Sequence, residues 1–149
     1  MARPHRKAGP WYGRDQERLE FEKGTRSYTN LRGKTKKRVG RTYTARVTVR
    51  FYETRKVKIL FPSGRSKSPT ITVDGPTDSP HRYEDGRLCI WYSDDDSSAR
   101  WEHGDGLLDL LGLIEAHLFR EAWWRETAEW LGPEIQHDSP KDDEEYDAA

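Results

Sequence analysis

Two hydrophobic periods follow one another along this chain, and the switch between them limits what it can fold into. Tyr43, Ala45, Val47, Val49 and Phe51 alternate with Thr42, Thr44, Arg46, Thr48 and Arg50, and Val57, Ile59 and Phe61 alternate with Lys56, Lys58 and Leu60. Period two turns one face of a strand to a core and the other to water. With a tight connection at Glu53-Thr54, the two runs predict a hairpin. Thr70 to Val73, closed by Asp74-Gly75-Pro76, predicts a third strand, so the strands form an antiparallel meander. Beyond Asp105 the period becomes helical: Leu107, Leu110, Leu111, Ile114, Leu118, Ala122 and Trp123 lie on one side. Asp105 suits the N-cap, and Gly132-Pro133 is a strong stop. The spacing is consistent with one long helix or with two that bend near residues 117 to 120. A meander followed by helix is an α+β arrangement.

Length and composition set the scale. The 149 residues suit one domain, and with only 33% hydrophobic residues the six Trp and seven Tyr must supply much of its buried area. Residues 1 to 14 read as a loose basic arm with one aromatic anchor at Trp11-Tyr12. A short helix is predicted from Asp15 to Lys23, ending at Gly24. The folded domain is expected over residues 15 to 137, and the acidic stretch from Asp138 to Ala149 reads as a mobile tail. No run approaches the roughly 18 apolar residues of a membrane span, and the first residues lack the apolar stretch of a secretory signal, so a cytoplasmic protein is expected.

The net charge of zero hides a division. Residues 1 to 67 hold 20 Lys+Arg against 5 Asp+Glu, and residues 68 to 149 hold 6 against 21. A basic half can bind nucleic acid or an acidic protein, or it can cover the acidic half of its own molecule or of a second copy. The densest basic run, Arg32 to Arg41, has no aromatic residue to stack on bases, so nucleic-acid binding is permitted rather than indicated.

Cys89 is the only cysteine, which excludes an internal disulfide and any multi-cysteine cluster. It stands in the apolar burst Leu88 to Tyr92, inside a segment rich in Pro, Asp and Ser. Two readings follow from the residues: a small buried filler, or a nucleophile. The acidic flanks Glu84-Asp85-Gly86 and Asp94-Asp95-Asp96 favour a position near the surface, and His81, eight residues upstream, can orient a substrate or shuttle a proton. His103, His117 and His137 lack metal-ligand spacing with one another or with Cys89, and no phosphate loop, dinucleotide fingerprint or nucleophile elbow is present. Neither a metal nor a cofactor is expected.

His81-Arg82-Tyr83-Glu84-Asp85-Gly86-Arg87-Leu88-Cys89-Ile90 resembles the active-site segment of ubiquitin-conjugating enzymes, where a His-Pro-Asn turn precedes Gly-x-Ile/Leu-Cys-Leu/Ile. The order of parts is similar too: strand meander, Pro-rich segment, His turn, cysteine, a Trp (Trp101), then a long apolar helix. Closer still is the bacterial UBC-like family, including stand-alone members of anti-phage defence operons, whose signature looks like His-x-Tyr-x-Asp-Gly-x-Leu-Cys, a downstream Trp, and a helix ending in Glu-x-Trp-x-x-Thr-x-Glu-Trp-x-Gly before a His. The corresponding residues are His81, Tyr83, Asp85, Gly86, Leu88, Cys89, Trp101, Glu121, Trp123 or Trp124, Thr127, Glu129, Trp130, Gly132 and His137. The chain departs from the eukaryotic pattern in its shorter His-to-Cys interval and in Arg82-Tyr83, which stands in place of Pro-Asn.

The resemblance implies a UBC-like fold and a thioester at Cys89 with the C-terminus of a donor protein, passed on to a protein acceptor. His81, His137 and Arg87 are then the candidates for raising the thiolate fraction. Tyr83, His137 or backbone N–H groups would stand in for the missing Asn as donors to the tetrahedral intermediate. Asp85 and Trp101 are supporting residues. The competing reading is an inactive UBC-like binding module that docks an acidic partner or nucleic acid with its basic half. Donor, acceptor and oligomeric state are not readable from the sequence.

Overall fold

The computed structural model describes residues 9–28, 30–64, 68–90 and 101–131. After a 3-10 turn at Trp11–Gly13 come helix α1 (Asp15–Phe21) and a second 3-10 turn at Thr25–Ser27. Strands β1 (Arg32–Lys36), β2 (Gly40–Thr48), β3 (Thr54–Pro62) and β4 (Thr70–Val73) follow. A 3-10 turn at His103–Asp105 then leads into helix α2 (Gly106–Thr127). The strands form one antiparallel sheet in the order β1-β2-β3-β4.

The alternating faces behave as their period requires. Tyr43, Ala45 and Val47 of β2, Val57, Ile59 and Phe61 of β3, and Ile71 and Val73 of β4 are all buried. Against them lies the inward side of α2, with Leu107, Leu110, Leu111 and Ile114 fully buried and Leu118 nearly so. Large rings fill the end of the core near the start of α2: Phe21 lies 5.3 Å from Phe61 and stacks at 4.5 Å on His103. The opposite face of the sheet carries no second layer of described elements.

Three features differ from the sequence-based expectations. The sheet has a fourth strand, β1, in the basic run that shows no strand pattern. All five of its residues are exposed, and backbone pairing with β2, from Arg32 opposite Thr44 to Lys36 opposite Gly40, holds it in place together with a hydrogen bond from Arg41 Nη1 to Thr35 Oγ1 at 3.1 Å. The strand predicted to reach Phe51 stops at Thr48. Val49 to Glu53 form the turn, closed by Tyr52 N donating to Val49 O at 2.8 Å, and Phe51 stands in it at φ 69° and 83% exposed. Trp11 and Tyr12, the aromatic anchor expected in the N-terminal arm, are both buried: Trp11 packs on Phe21 at 4.6 Å and on Phe61 at 5.5 Å, with Tyr12 at its edge. Finally, α2 is one unbroken helix and ends before Gly132-Pro133. It stops at Thr127, where Ala128 takes a left-handed φ of 63° and its N–H donates to Trp124 O. Asp105 holds the N-cap place of α2, but its carboxylate accepts from Glu102 N at 2.8 Å and closes the preceding turn. No described helix is long and apolar enough to cross a membrane.

Candidate functional site

Residues 81 to 89 fold back on themselves. Arg82 bridges to Leu88, Cys89 N donates to His81 O at 2.9 Å, and Tyr83 N donates to Arg87 O at 2.9 Å. The reversal is a three-residue loop, Glu84-Asp85-Gly86, in which Gly86 N donates to Tyr83 O and Gly86 takes φ 94°, a conformation that glycine adopts without strain. Asp85 stiffens this loop. Its carboxylate accepts from Arg87 N at 3.1 Å and from Arg87 Nε at 2.7 Å, and the backbone N–H of Arg87 is the largest influence holding that carboxyl below its usual range.

The hairpin also extends the sheet. Leu88 N donates to Ile71 O and Val73 N to Gly86 O, while Thr72 pairs with Arg87. This accounts for a correction to the position of Cys89, which was expected near the surface and is 3% exposed. Arg87 and Leu88 are pinned beside β4 by these backbone bonds, and the acidic residues Glu84 and Asp85 occupy the outward loop instead of drawing the cysteine toward solvent.

Tyr83 and Cys89 come together across the hairpin. Burial first, then interaction with the neighbouring thiol, push the Tyr83 pKa above its ordinary value. The phenol therefore stays protonated at neutral pH and can donate. The Arg87 guanidinium lies 4.7 Å from the centre of the Tyr83 ring. Beside them is a small recess of about 130 Å³, lined by Pro69, Thr70, Ile71, Tyr83, Arg87, Leu88 and Ile90.

His81 has a left-handed backbone at φ 61° and a buried side chain. Its ring lies 5.0 Å from Trp130, which in turn lies 5.4 Å from His117 of α2. Trp130, part of the signature at the end of the helix, stands beyond Thr127 and joins the cysteine hairpin to α2. Trp101 sits with the ring cluster: its indole N–H donates to Gly106 O at 2.8 Å, and it lies 6.1 Å from both Phe21 and Phe61. Its described contacts anchor the entrance of α2. His137 and the triplet Asp94-Asp95-Asp96 lie outside the described residues.

The sequence reading gave no role to the pair that locks the site. Arg82 Nη1 donates to Glu121 Oε1 at 2.7 Å, with the two side chains 1% and 2% exposed. Arg82 Nη2 donates to Val73 O and Asp74 O. Ser79 Oγ donates to Glu121 Oε2 at 2.8 Å, and His117 Nε2 lies 3.6 Å from the same oxygen. Burial pushes the Glu121 carboxyl up, but the nearby His117 imidazole and the Arg82 charge outweigh it, so its pKa lies below the ordinary value. A signal for this was present. Ile114, Leu118 and Glu121 follow the inward period of α2, and a carboxylate on that face requires a cation.

Among the described residues, no group of three or more His, Cys, Asp or Glu is placed to hold a metal ion. No curated protein and no solved structure shows a significant match to the chain. Residues 14–138 match the family model described as Type II CBASS E2 protein, an anti-phage defence family. That match spans the sheet, the cysteine hairpin and α2, so this chain, with its α+β, UBC-like fold, belongs to the Type II CBASS E2 family.

Proposed function

We propose that this chain is an acyl carrier that holds the C-terminus of a donor protein as a thioester on Cys89 and passes it to a protein acceptor. The observation that carries this reading is the placing of Cys89, with Tyr83 beside its thiol, in a hairpin fixed on three sides by β4, Trp130 and Glu121. In the first step, Cys89 Sγ forms a C–S bond to an activated carbonyl. The bond to the activating group, a thiol or a phosphate, breaks, and the thiol proton passes to the His81 imidazole or to water. In the second, an acceptor amine forms a C–N bond, the C–S bond breaks, and the sulfur regains a proton. Tyr83, held neutral, serves as the donor to the thiolate and to the oxyanion, the task given to Asn in the eukaryotic pattern. Asp85 positions the loop through Arg87 and takes no part in proton transfer.

The test is intact-mass spectrometry of the chain co-expressed with the products of its neighbouring genes. The reading expects a thiol-labile protein adduct that Cys89→Ala abolishes and Cys89→Ser converts into a longer-lived ester. Absence of any adduct under these conditions would favour the second reading, an inactive binding module. One observation supports that alternative: Cys89 is 3% exposed, so access by a donor chain requires the residues around it to part.

A further inference from the structure

A line of residues crosses the outer face of the sheet. By register, Arg32 of β1 lies opposite Thr44 of β2, Thr44 opposite Lys58 of β3, Lys58 opposite Thr72 of β4, and Thr72 opposite Arg87 of the cysteine hairpin. At about 4.8 Å per strand the row runs roughly 19 Å, with a cation about every 10 Å and threonine between. Arg46 lies directly opposite Lys56 on one flank, and Lys34 stands on the other, opposite Thr42.

Arg32, Lys34, Arg46, Lys56 and Lys58 are exposed, and none makes an ion pair with a described residue. Of the carboxylates beside this face, Asp74 accepts at Oδ1 from the backbone N of Lys56 and Asp85 holds Arg87, while Glu84 stands next to Asp85 in the hairpin loop at the edge of the row. Like charges directly across a ladder destabilise a sheet, so the Arg46–Lys56 pair has no folding rationale without an anion over it.

We infer that this face binds the phosphate backbone of double-stranded nucleic acid. The composition separates this ligand from an acidic protein. Protein interfaces centre on aromatic and apolar anchors and are poor in Lys, and here Leu60, half-buried, is the one large apolar side chain among the cations. Lys, Arg and Thr on a flat surface are instead the groups that contact phosphates. No ring lies along the row: Tyr83 and Phe51 stand at its margins, so the face lacks the stacking platform that single strands use. With no means of reading base edges, the binding is independent of sequence and falls in the range of about 10⁻⁶ to 10⁻⁴ M at physiological salt. It does not depend on Cys89 chemistry, and the Cys89→Ser chain is expected to bind as the unmodified chain does.

Fluorescence anisotropy of the full chain with a labelled duplex of about 20 base pairs, from 50 to 200 mM salt, tests the proposal. Five cations predict a log–log salt slope of about −4.5, a roughly 500-fold loss of affinity over that interval. Arg46→Gln and Lys58→Gln should each reduce the slope by about 1. Both sites are exposed, so thermal melts should show both variants folded. Absence of binding at 50 mM salt, a slope unchanged in both variants, tighter binding to the single strand, or equal competition by polyglutamate would each overturn the proposal.

Discussion

Arg82 and Glu121 lie 39 residues apart in the chain and close a 2.7 Å ion pair with neither side chain more than 2% exposed. One belongs to the cysteine hairpin and the other to the inward face of α2, so the pair makes a single unit of two segments that the sequence shows only as separate motifs. The residue that departs from the eukaryotic Pro-Asn pattern is thus the one that ties the loop down.

Removing one partner should expose how much the hairpin depends on this tie. Glu121→Ala leaves a buried guanidinium without its carboxylate and should cost about 3–5 kcal/mol, enough to lower the melting temperature by well over 5 °C. Replacing both partners, Arg82→Met with Glu121→Leu, should recover much of that loss, because a well-packed apolar pair carries no desolvation penalty. Denaturant titration of the two single variants and the double variant measures the coupling. Additive losses would show that the pair acts as two independent contacts.

The same carboxylate makes stability depend on pH. Its folded pKa is lower than in the unfolded chain, so at acid pH the unfolded chain binds the proton more readily. Its contribution is complete above about pH 4.5 and is lost as pH falls through the depressed folded pKa. Asp85 acts in the same direction from the exposed loop. Unfolding midpoints should therefore fall steeply below about pH 4.5, and Glu121→Gln should be less stable at neutral pH and show a flatter acid limb. An acid limb of equal steepness in the variant would assign the loss to other carboxylates.

How much of this was legible depends on burial. Strands β2 and β3 and helix α2 each bury one face, and their periods marked them, while α1 and β4 were marked by the turn residues that close them. Strand β1 buries neither face, and the pairing that holds Arg32–Lys36 against Gly40–Thr44 is made by backbone groups that every sequence shares. Phe51 continued the alternation by coincidence, since the chain turns two residues earlier. At the site, Tyr83 stands near Cys89 because the Tyr-to-Cys interval spans a hairpin of fixed length. The burial of Cys89 was misread because acidic neighbours suggest solvent, whereas here they occupy the outer loop. The Arg82–Glu121 pair is not legible in the sequence because its partners lie 39 residues apart in separate motifs.

Thiol reactivity tests whether Tyr83 donates to the Cys89 thiolate. A phenol that donates to the thiolate stabilises the attacking species, so Tyr83→Phe should slow alkylation of Cys89 at neutral pH by roughly fivefold, the kinetic equivalent of about 1 kcal/mol. The Arg87 cation near the ring is retained, which keeps the electrostatic surroundings comparable. Timed iodoacetamide labelling read by intact mass checks the rate, and a thermal melt checks that the hairpin persists. An unchanged or faster rate would remove Tyr83 as the supporting donor and return that task to backbone N–H groups.

Phe51 offers a test of strain away from the site. Its φ of 69° lies in the left-handed region, where a side chain costs about 1–2 kcal/mol per residue, and its ring is 83% exposed. Little burial offsets that cost. The Arg50 guanidinium lies 5.0 Å from the ring centre, and at so exposed a position this contact contributes about 0.5–1 kcal/mol at most. Phe51→Gly should therefore raise stability by up to about 1 kcal/mol, with the added freedom of the unfolded glycine limiting the gain. Phe51→Asn, which tolerates the same backbone, should be at least neutral. Melting temperatures of the two variants decide the matter. A fall in both would mean that the exposed ring packs into the groove beside it, which Tyr52, Arg55, Ala122 and Glu126 help to line, and stabilises the β2–β3 turn by more than its backbone strain costs.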